Sequence, residues 1–230
     1  MAKDAVQLIY RFSDPDALAQ ALANRIAELI GSCQAPFRIA LAGGSTPKLL
    51  YQHLSRRKDI DWLSVELYLG DERMIPASDP RSNENMIREM LGAVLDSAKF
   101  FPIYTGADQA ETARQYASLL PSRLDLAILG VGDDGHTASV FPDTEEQDRN
   151  VYGTRWPEAA REEDTVMERV TLSLSYLANS AAVYFLVAGE KKAQRVADAT
   201  HGRGDSPSAR LARTANHVEW WLDEAAAARI

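Results

Sequence analysis

The sequence predicts an α/β protein with a mostly parallel sheet that is covered by helices on both faces. Apolar segments of strand length alternate along the chain with longer segments of helical periodicity. The segments at residues 37–42, 124–130 and 181–188 are apolar almost throughout, which is typical of strands buried on both faces. No repeat or low-complexity linker divides the 230 residues, so we predict a single domain over residues 1–230, with residues 144–168 as an irregular polar excursion.

The remaining elements follow from local signals. Asp14 and Pro15 open a helical pattern that continues to about Ser32, because an aspartate cap followed by proline is a typical helix start. Further helices are predicted at residues 47–57, 83–95, 108–120 and 190–200, and further strands at residues 65–70, 100–104, 169–174 and 217–222. Residues 201–209 are predicted to form a loop, and the Ala-rich C-terminus a last helix.

The composition excludes several classes of function. A net charge of −8 with a pI near 5.1 argues against a nucleic-acid surface and requires that an anionic ligand be met by local cations. The N-terminus lacks the apolar run of a signal peptide, and no stretch reaches the roughly 18–20 apolar residues of a membrane span. Cys33, the one cysteine, cannot form an internal disulfide, and we expect it to pack at the end of the first helix. These features predict a cytoplasmic protein.

Ligands of parallel α/β sheets bind beyond the carboxyl ends of the strands, which selects four loops of this chain. The first loop, residues 43–47, joins a strand to a helix. Its two glycines let backbone N–H groups approach a ligand, and Ser45 or Thr46 fits the helix cap before Pro47, so the loop suits a phosphate. It lacks the Gly-Lys-Ser/Thr ending of a Walker A loop, and a plain capped turn is the alternative.

Two further loops place cations at strand ends. Residues 70–73 (Gly-Asp-Glu-Arg) follow an apolar strand, and the planar guanidinium of Arg73 suits a phosphate or a carboxylate. A solvated turn before a helix capped by Ser82 would explain the same residues. In residues 189–192 (Gly-Glu-Lys-Lys), lysines at a helix start oppose the helix dipole, which a bound phosphate would explain and a solvated lysine would tolerate.

The loop at residues 130–137 is the most informative. Its first six residues match the dinucleotide fingerprint G-x-G-x-x-G, but Asp133 and Asp134 lie where a pyrophosphate would approach, and the loop does not follow the first strand. A histidine two residues after an aspartate suits general base catalysis instead, because imidazole titrates near neutral pH and a carboxylate can orient the ring. We predict His136 as the base and Asp134 as its partner. A surface histidine and a nicotinamide-dependent dehydrogenase are the alternatives.

Taken together, and in the order in which they occur along the chain, these motifs resemble the 6-phosphogluconolactonase family. This family lies within the wider group that includes glucosamine-6-phosphate isomerase/deaminase. The likeness runs from about residue 37 to residue 223. The matching stretches are LAGGSTPKLLYQHL (41–54), LYLGDERMIPASDPRSNENM (67–86), LDLAILGVGDDGHTASVFP (124–142), RVTLSL (169–174) and VYFLVAGEKKA (183–193). The resemblance implies a modified Rossmann-like α/β sandwich without a metal or organic cofactor.

Two positions separate the branches of this group. Deaminases resemble D-G-H-I-A-F-N-E, with a catalytic glutamate five residues after the histidine, and this chain has Phe141 there. They also resemble D-E-Y where this chain has Arg73 as the third residue. Both differences favour the lactonase. A non-catalytic sugar-phosphate sensor is a further alternative, which the intact Asp134 and His136 disfavour.

The resemblance also implies roles for individual residues. Asp134 and His136 would activate a water against the carbonyl of 6-phospho-D-glucono-1,5-lactone, a reaction of the pentose phosphate pathway. The substrate and its phosphate would be bound by Gly43, Gly44, Ser45, Thr46, Asp71, Arg73, Asn83, Arg169 and Lys192. Backbone N–H groups or Arg73 would stabilise the oxyanion. The expected partner is the phosphorylated sugar lactone, with no nucleic acid or membrane, and the expected state is a monomer or a homodimer.

Overall fold

The computed structural model describes residues 6–33, 36–145, 147–155 and 167–230. Its strands are β1 (Val6–Phe12), β2 (Phe37–Leu41), β3 (Val65–Leu69), β4 (Asp71–Arg73), β5 (Lys99–Phe101), β6 (Leu126–Leu129), β7 (Val151–Arg155), β8 (Glu168–Leu172), β9 (Ala182–Val187) and β10 (His217–Asp223). Its α-helices are α1 (Pro15–Ser32), α2 (Thr46–Ser55), α3 (Asn83–Leu91), α4 (Gln109–Leu119), α5 (Leu174–Ala178), α6 (Ala193–Thr200) and α7 (Pro207–Thr214). Short 3-10 helices cover Trp62–Ser64, Gly92–Asp96 and Glu190–Lys192.

The main sheet has seven strands in the order β1-β10-β9-β6-β2-β3-β5, and all of its pairs are parallel. The predicted α/β fold with a mostly parallel sheet is therefore confirmed. The central strand β6 is fully buried at all four of its residues, which agrees with its continuous apolar sequence. Because β2, β6 and β9 are neighbours, the loops after residues 41, 129 and 187 open at the same edge of the sheet.

A second sheet of three antiparallel strands, in the order β4-β8-β7, extends from that edge. Gly70 connects the two sheets, because its N–H donates to the Leu41 carbonyl at 2.9 Å and its carbonyl accepts from the Leu172 N–H at 2.9 Å. The loop predicted at residues 71–73 is thus a short strand. The excursion predicted at residues 144–168 is wrong where it includes β7, and residues 146 and 156–166 of it lie outside the described residues.

Three segments, two at the termini and one in a predicted loop, differ from what the sequence led us to expect. Strand β1 was not predicted; it lies at the edge of the sheet, where its apolar side chains are partly exposed. Helix α7 begins inside the predicted loop, because the Ser206 hydroxyl accepts from the Ala209 N–H at 3.4 Å and Pro207 takes the first helical position. The Ala-rich C-terminus forms turns instead of a helix, since the Asp223 carboxylate accepts from the Ala226 N–H at 2.7 Å.

The remaining predictions concern a helix cap, the cysteine and membrane spans. Asp14 caps α1 as predicted, with its Oδ1 accepting from the N–H groups of residues 16 and 17 at 3.0 and 2.9 Å. Cys33 is exposed, so its prediction as a packing residue is wrong: it lies just beyond the last turn of α1, outside the apolar face of the helix. Within the described ranges, no helix is both long and apolar enough to cross a membrane.

Candidate active site

A cleft of about 750 Å³ opens at the carboxyl ends of β2, β6 and β9. Every site residue that the sequence analysis named lines this one cleft: Gly43, Gly44, Ser45, Thr46, Asp71, Arg73, Asn83, Asp134, His136, Arg169 and Lys192. The convergence follows from the topology, because the neighbouring parallel strands end at one edge and β4 and β8 form one wall beside it. The chain therefore brings two potential catalytic groups and several cations into a single site.

His136 and Asp134 form a hydrogen-bonded pair in this cleft. The His136 Nδ1 lies 2.6 Å from the Asp134 Oδ1, and the same oxygen accepts from the His136 backbone N–H at 2.9 Å. The loop around them is tightly wound: the Gly132 N–H donates to the His136 carbonyl at 2.8 Å, and the Gly135 N–H donates to the Gly132 carbonyl at 3.0 Å. The carboxylate thus fixes the orientation of the ring, as general base catalysis requires.

The Asp134 carboxyl remains ionised to lower pH than an ordinary aspartate. Burial raises its pKa, but the hydrogen bond and the electrostatic attraction from the His136 ring, with the backbone N–H, outweigh burial, so that the pKa is lowered from 3.8. A lowered pKa in the folded state stabilises the fold above the unfolded pKa, and this stabilisation is lost as the pH falls through the folded value.

This shift predicts a pH-dependent difference between the wild type and Asp134→Asn. We expect the wild type to have the higher free energy of unfolding at pH 5, by an amount that shrinks as the pH falls through the lowered pKa of the Asp134 carboxyl. Urea unfolding of both proteins between pH 5 and pH 2.5 measures it. A stability difference that grows as the pH is lowered across this range would contradict this assignment.

The loop between β2 and α2 presents backbone N–H groups to the cleft. Gly44 adopts a positive φ of 97°, and Ser45 takes the N-cap position of α2 without using its hydroxyl for a cap hydrogen bond. The first N–H groups of a helix have no intrahelical acceptor, so this end suits an anion. Gly43 allows a close approach: a Cβ at this position would overlap the Asn83 amide and lie 2.6 Å from its Nδ2.

Lys192 lines the same cleft from the end of the 3-10 helix Glu190–Lys192. Its Nζ forms an ion pair with the Asp133 carboxylate, and its side chain is 26% exposed. Lys191 is exposed and does not line the cleft. The choice of Lys192 over its neighbour is therefore favoured by position, because only the former places its ammonium among the other candidate residues.

A buried polar network forms the wall between the two sheets. The Asp71 carboxylate accepts a hydrogen bond from the Ser139 hydroxyl, and it lies 3.8 Å from the Arg169 Nη1. Burial, followed by repulsion from Arg73, lowers the pKa of Arg169 to about 10, which leaves the guanidinium charged at neutral pH. The Asn83 Nδ2 donates to the Asp71 carbonyl at 2.9 Å, so Asn83 joins this network to α3.

Glu72 was not singled out by the sequence analysis, yet it is the most buried charged side chain near the cleft. Its carboxylate accepts from the backbone N–H groups of Arg73, Asn83 and Glu84 at 2.7, 2.9 and 2.7 Å, and from the Ser82 hydroxyl at 3.0 Å. Burial raises its pKa, and these hydrogen bonds oppose that effect. Glu72 therefore holds the N-terminus of α3, and with it Asn83, against β4.

Arg73 points into the cleft from β4. A guanidinium N–H donates to the Arg81 carbonyl, which fixes the side chain beside the loop that leads into α3. Among the described residues, its buried Nε has no hydrogen-bond partner. Together with Arg169 and Lys192, it supplies cations to a cleft that three aspartates also line, in a chain whose net charge is −8.

Comparison with known proteins identifies the group to which this architecture belongs. A family model described as glucosamine-6-phosphate isomerases/6-phosphogluconolactonase matches residues 13–220. The chain belongs to this family. Over 141 residues it is 41% identical to 6-phosphogluconolactonase of Rhizobium meliloti, covering 57% of this chain and 60% of that relative. In an alignment 257 positions long it is 32% identical to 6-phosphogluconolactonase 4 of Saccharomyces cerevisiae, covering 96% and 97% of the two chains.

Solved structures agree with this membership of the glucosamine-6-phosphate isomerase/6-phosphogluconolactonase family. The structure of 6-phosphogluconolactonase from Trypanosoma brucei superposes with a TM-score of 0.82 at 30% sequence identity, over 98% of this chain and 99% of that one. Because the family description includes two activities, membership alone does not select between them. The residues of the cleft must do so.

Phe141 occupies the position at which the family resemblance places a glutamate in the deaminases. Its side chain is fully buried, its ring centroid lies 5.0 Å from that of His136, and the Arg169 guanidinium carbon lies 5.9 Å from the Phe141 ring centroid. The place where the deaminase motif carries a glutamate thus holds an apolar ring packed against the histidine. No carboxylate from this position can act on a bound sugar.

Proposed function

We propose that this chain hydrolyses 6-phospho-D-glucono-1,5-lactone to 6-phospho-D-gluconate. The observation that carries the proposal is the shared cleft, in which a His136–Asp134 pair occurs together with Lys192 and the N-terminus of α2. The pair supplies a base for an ester-like carbonyl, and the cation and helix end supply a site for a phosphate. The named relatives from Rhizobium meliloti and Saccharomyces cerevisiae support the same activity.

In the proposed reaction, His136 removes a proton from water while the water oxygen attacks the lactone carbonyl carbon. Since Nδ1 is engaged by Asp134, the accepting nitrogen is Nε2. The carbonyl electron pair moves onto its oxygen, and the resulting oxyanion is stabilised by Arg73 or by backbone N–H groups of the glycine-rich loops. When the oxyanion collapses, the bond from carbon to ring oxygen breaks, and the imidazolium returns its proton to that oxygen. Nothing in these steps requires a cofactor.

The direct test is hydrolysis of freshly prepared 6-phosphoglucono-δ-lactone at controlled pH, with the spontaneous rate subtracted. We expect a rate proportional to enzyme concentration and formation of the free acid. Glucosamine 6-phosphate is the matched second substrate, since ammonia release from it would indicate the other branch of the family. Binding of either compound without product would indicate a sensor and overturn the proposal.

Lys192→Ala is expected to raise KM for the phosphorylated lactone, with a smaller effect on kcat. The phosphate is remote from the reacting carbon, so its binding contributes about equally to the ground state and the transition state. Initial rates and competition by inorganic phosphate measure the effect. Lys191→Ala is the control, because that lysine is exposed outside the cleft. An unchanged inhibition constant for phosphate in Lys192→Ala would exclude this ligand role.

The proposal also includes a cytoplasmic location and a monomeric or homodimeric state. A free, exposed cysteine at position 33 supports a reducing compartment. Cell fractionation and light scattering of the purified protein test these two points independently of activity.

A further inference from the structure

We infer that Asp133 determines how strongly the cleft selects phosphorylated ligands, because its carboxylate competes with the ligand's phosphate for Lys192. The inference rests on the proposed function for the identity of the phosphorylated ligand. In the sequence, Asp133 is recognisable only as an obstacle to a dinucleotide. The structure gives it a specific partner, and that partner is the lysine proposed to bind phosphate.

The geometry of the pair shows which member can leave. The Asp133 Oδ1 contacts the Lys192 Nζ, and both residues line the cleft. The Asp133 side chain is 62% exposed, whereas the Lys192 side chain is 26% exposed. The carboxylate can therefore turn into water at little cost, while the ammonium stays in the cleft. An exposed ion pair of this kind is weak and exchangeable.

Departure of the Asp133 carboxylate need not disturb the catalytic loop, because the backbone of the loop is held separately. The Arg195 Nε donates to the Asp133 carbonyl at 3.2 Å, and Arg195 lies one turn after Lys192. The Ser208 N–H, in the first turn of α7, donates to the Gly135 carbonyl at 3.1 Å. These contacts keep the Asp134–His136 pair in place whether Asp133 faces Lys192 or solvent.

The electrostatic consequence depends on the charge of the ligand. A phosphate at Lys192 must replace the Asp133 carboxylate and then remain near a second negative charge, so the pair lowers the affinity for every phosphorylated ligand. Substrate and product carry the same phosphate and are weakened alike. A lactone without a phosphate does not need Lys192, and its binding is unaffected by the exchange.

The test compares the wild type with Asp133→Asn, which removes the charge and keeps the shape. We expect the Kd for inorganic phosphate, measured by calorimetry, to fall roughly three- to tenfold, the range for one screened unit charge at a few ångströms. KM for 6-phosphoglucono-δ-lactone should fall by a similar factor, and KM for unphosphorylated glucono-δ-lactone should not. Asp143→Asn is the matched control, since it removes an equal charge from an exposed residue of the same connection between β6 and β7 that does not line the cleft.

Two results would overturn the inference. One is an unchanged or larger phosphate Kd in Asp133→Asn, which would mean that the carboxylate is neutral toward the anion or positions the lysine for it. The other is an equal gain from Asp133→Asn in a Lys192→Ala background, which would indicate a general field instead of competition for one ammonium. Failure of the proposed function is recognised separately, because the wild type would then bind phosphate in the calorimeter without hydrolysing the lactone.

Discussion

His136→Ala is expected to lower kcat for lactone hydrolysis by roughly 10²- to 10⁴-fold, the usual contribution of a positioned general base. The imidazole is the group of the cleft that can accept a proton from water at neutral pH and return it to the ring oxygen. Folding should survive, because the loop is closed by the backbone hydrogen bond from Gly132 N–H to the His136 carbonyl, which alanine retains. Steady-state kinetics with the spontaneous rate subtracted, beside circular dichroism, measures both effects.

His53→Ala provides the control for this substitution. His53 pairs with Asp16 on the surface, 2.9 Å from its carboxylate, and does not line the cleft. It should keep the wild-type kcat, so that loss of a histidine in general is separated from loss of this one. A folded His136→Ala protein with near wild-type turnover would remove His136 from the role of base. The proposed reaction would then need another proton acceptor.

The sequence was sufficient to predict which loops form the cleft. Each of the loops at residues 43–47, 70–73, 130–137 and 189–192 follows an apolar strand, and the carboxyl ends of parallel strands meet at one edge. Once a parallel sheet is predicted, these short motifs are therefore also predicted to lie close together at one edge of it. The pairing of Asp134 with His136 was also predictable, because residues two positions apart in a loop lie close together in space.

Contacts between distant segments were not predictable in this way. The Asp133–Lys192 ion pair joins two loops 59 positions apart in the chain, and the Ser139–Asp71 hydrogen bond joins residues 68 positions apart. From the sequence alone, each of these side chains could equally be exposed to solvent. Only the tertiary structure brings it to its partner. Glu72 is the clearest case: in sequence it is one charge in a run of three, yet folding buries it completely against the start of α3.

Element prediction failed where the elements are short or charged. Strand β4 consists of Asp71–Arg73, and its pairing with β8 stabilises a segment whose composition is that of a turn. Strand β7 lies in a polar stretch and is paired with β8 along five positions. Both strands depend on cross-strand partners, so periodicity within each segment carries little information about them.

Gly132→Ala is expected to reduce kcat by about 10²-fold or more without unfolding the protein. A Cβ at this position would overlap the Nδ1 and Cε1 atoms of His136 and would lie 2.7 Å from the Asp134 Oδ1. The clashing atoms are the ends of side chains, so the ring and the carboxylate would move instead of the backbone. Displacement of a catalytic group by about 1 Å is enough for a loss of this size.

Gly31→Ala is the matched substitution for this test. Gly31 is an exposed residue near the end of α1, and a Cβ there would meet nothing within 4 Å. It should leave kcat unchanged and raise helix stability by about 0.5–1 kcal/mol.

For Gly132→Ala, we expect the Kd for inorganic phosphate to match the wild type, because the clash is confined to the catalytic pair. Full turnover in Gly132→Ala would mean that the position of the imidazole tolerates a displacement, which a water-activating base at a fixed carbonyl does not.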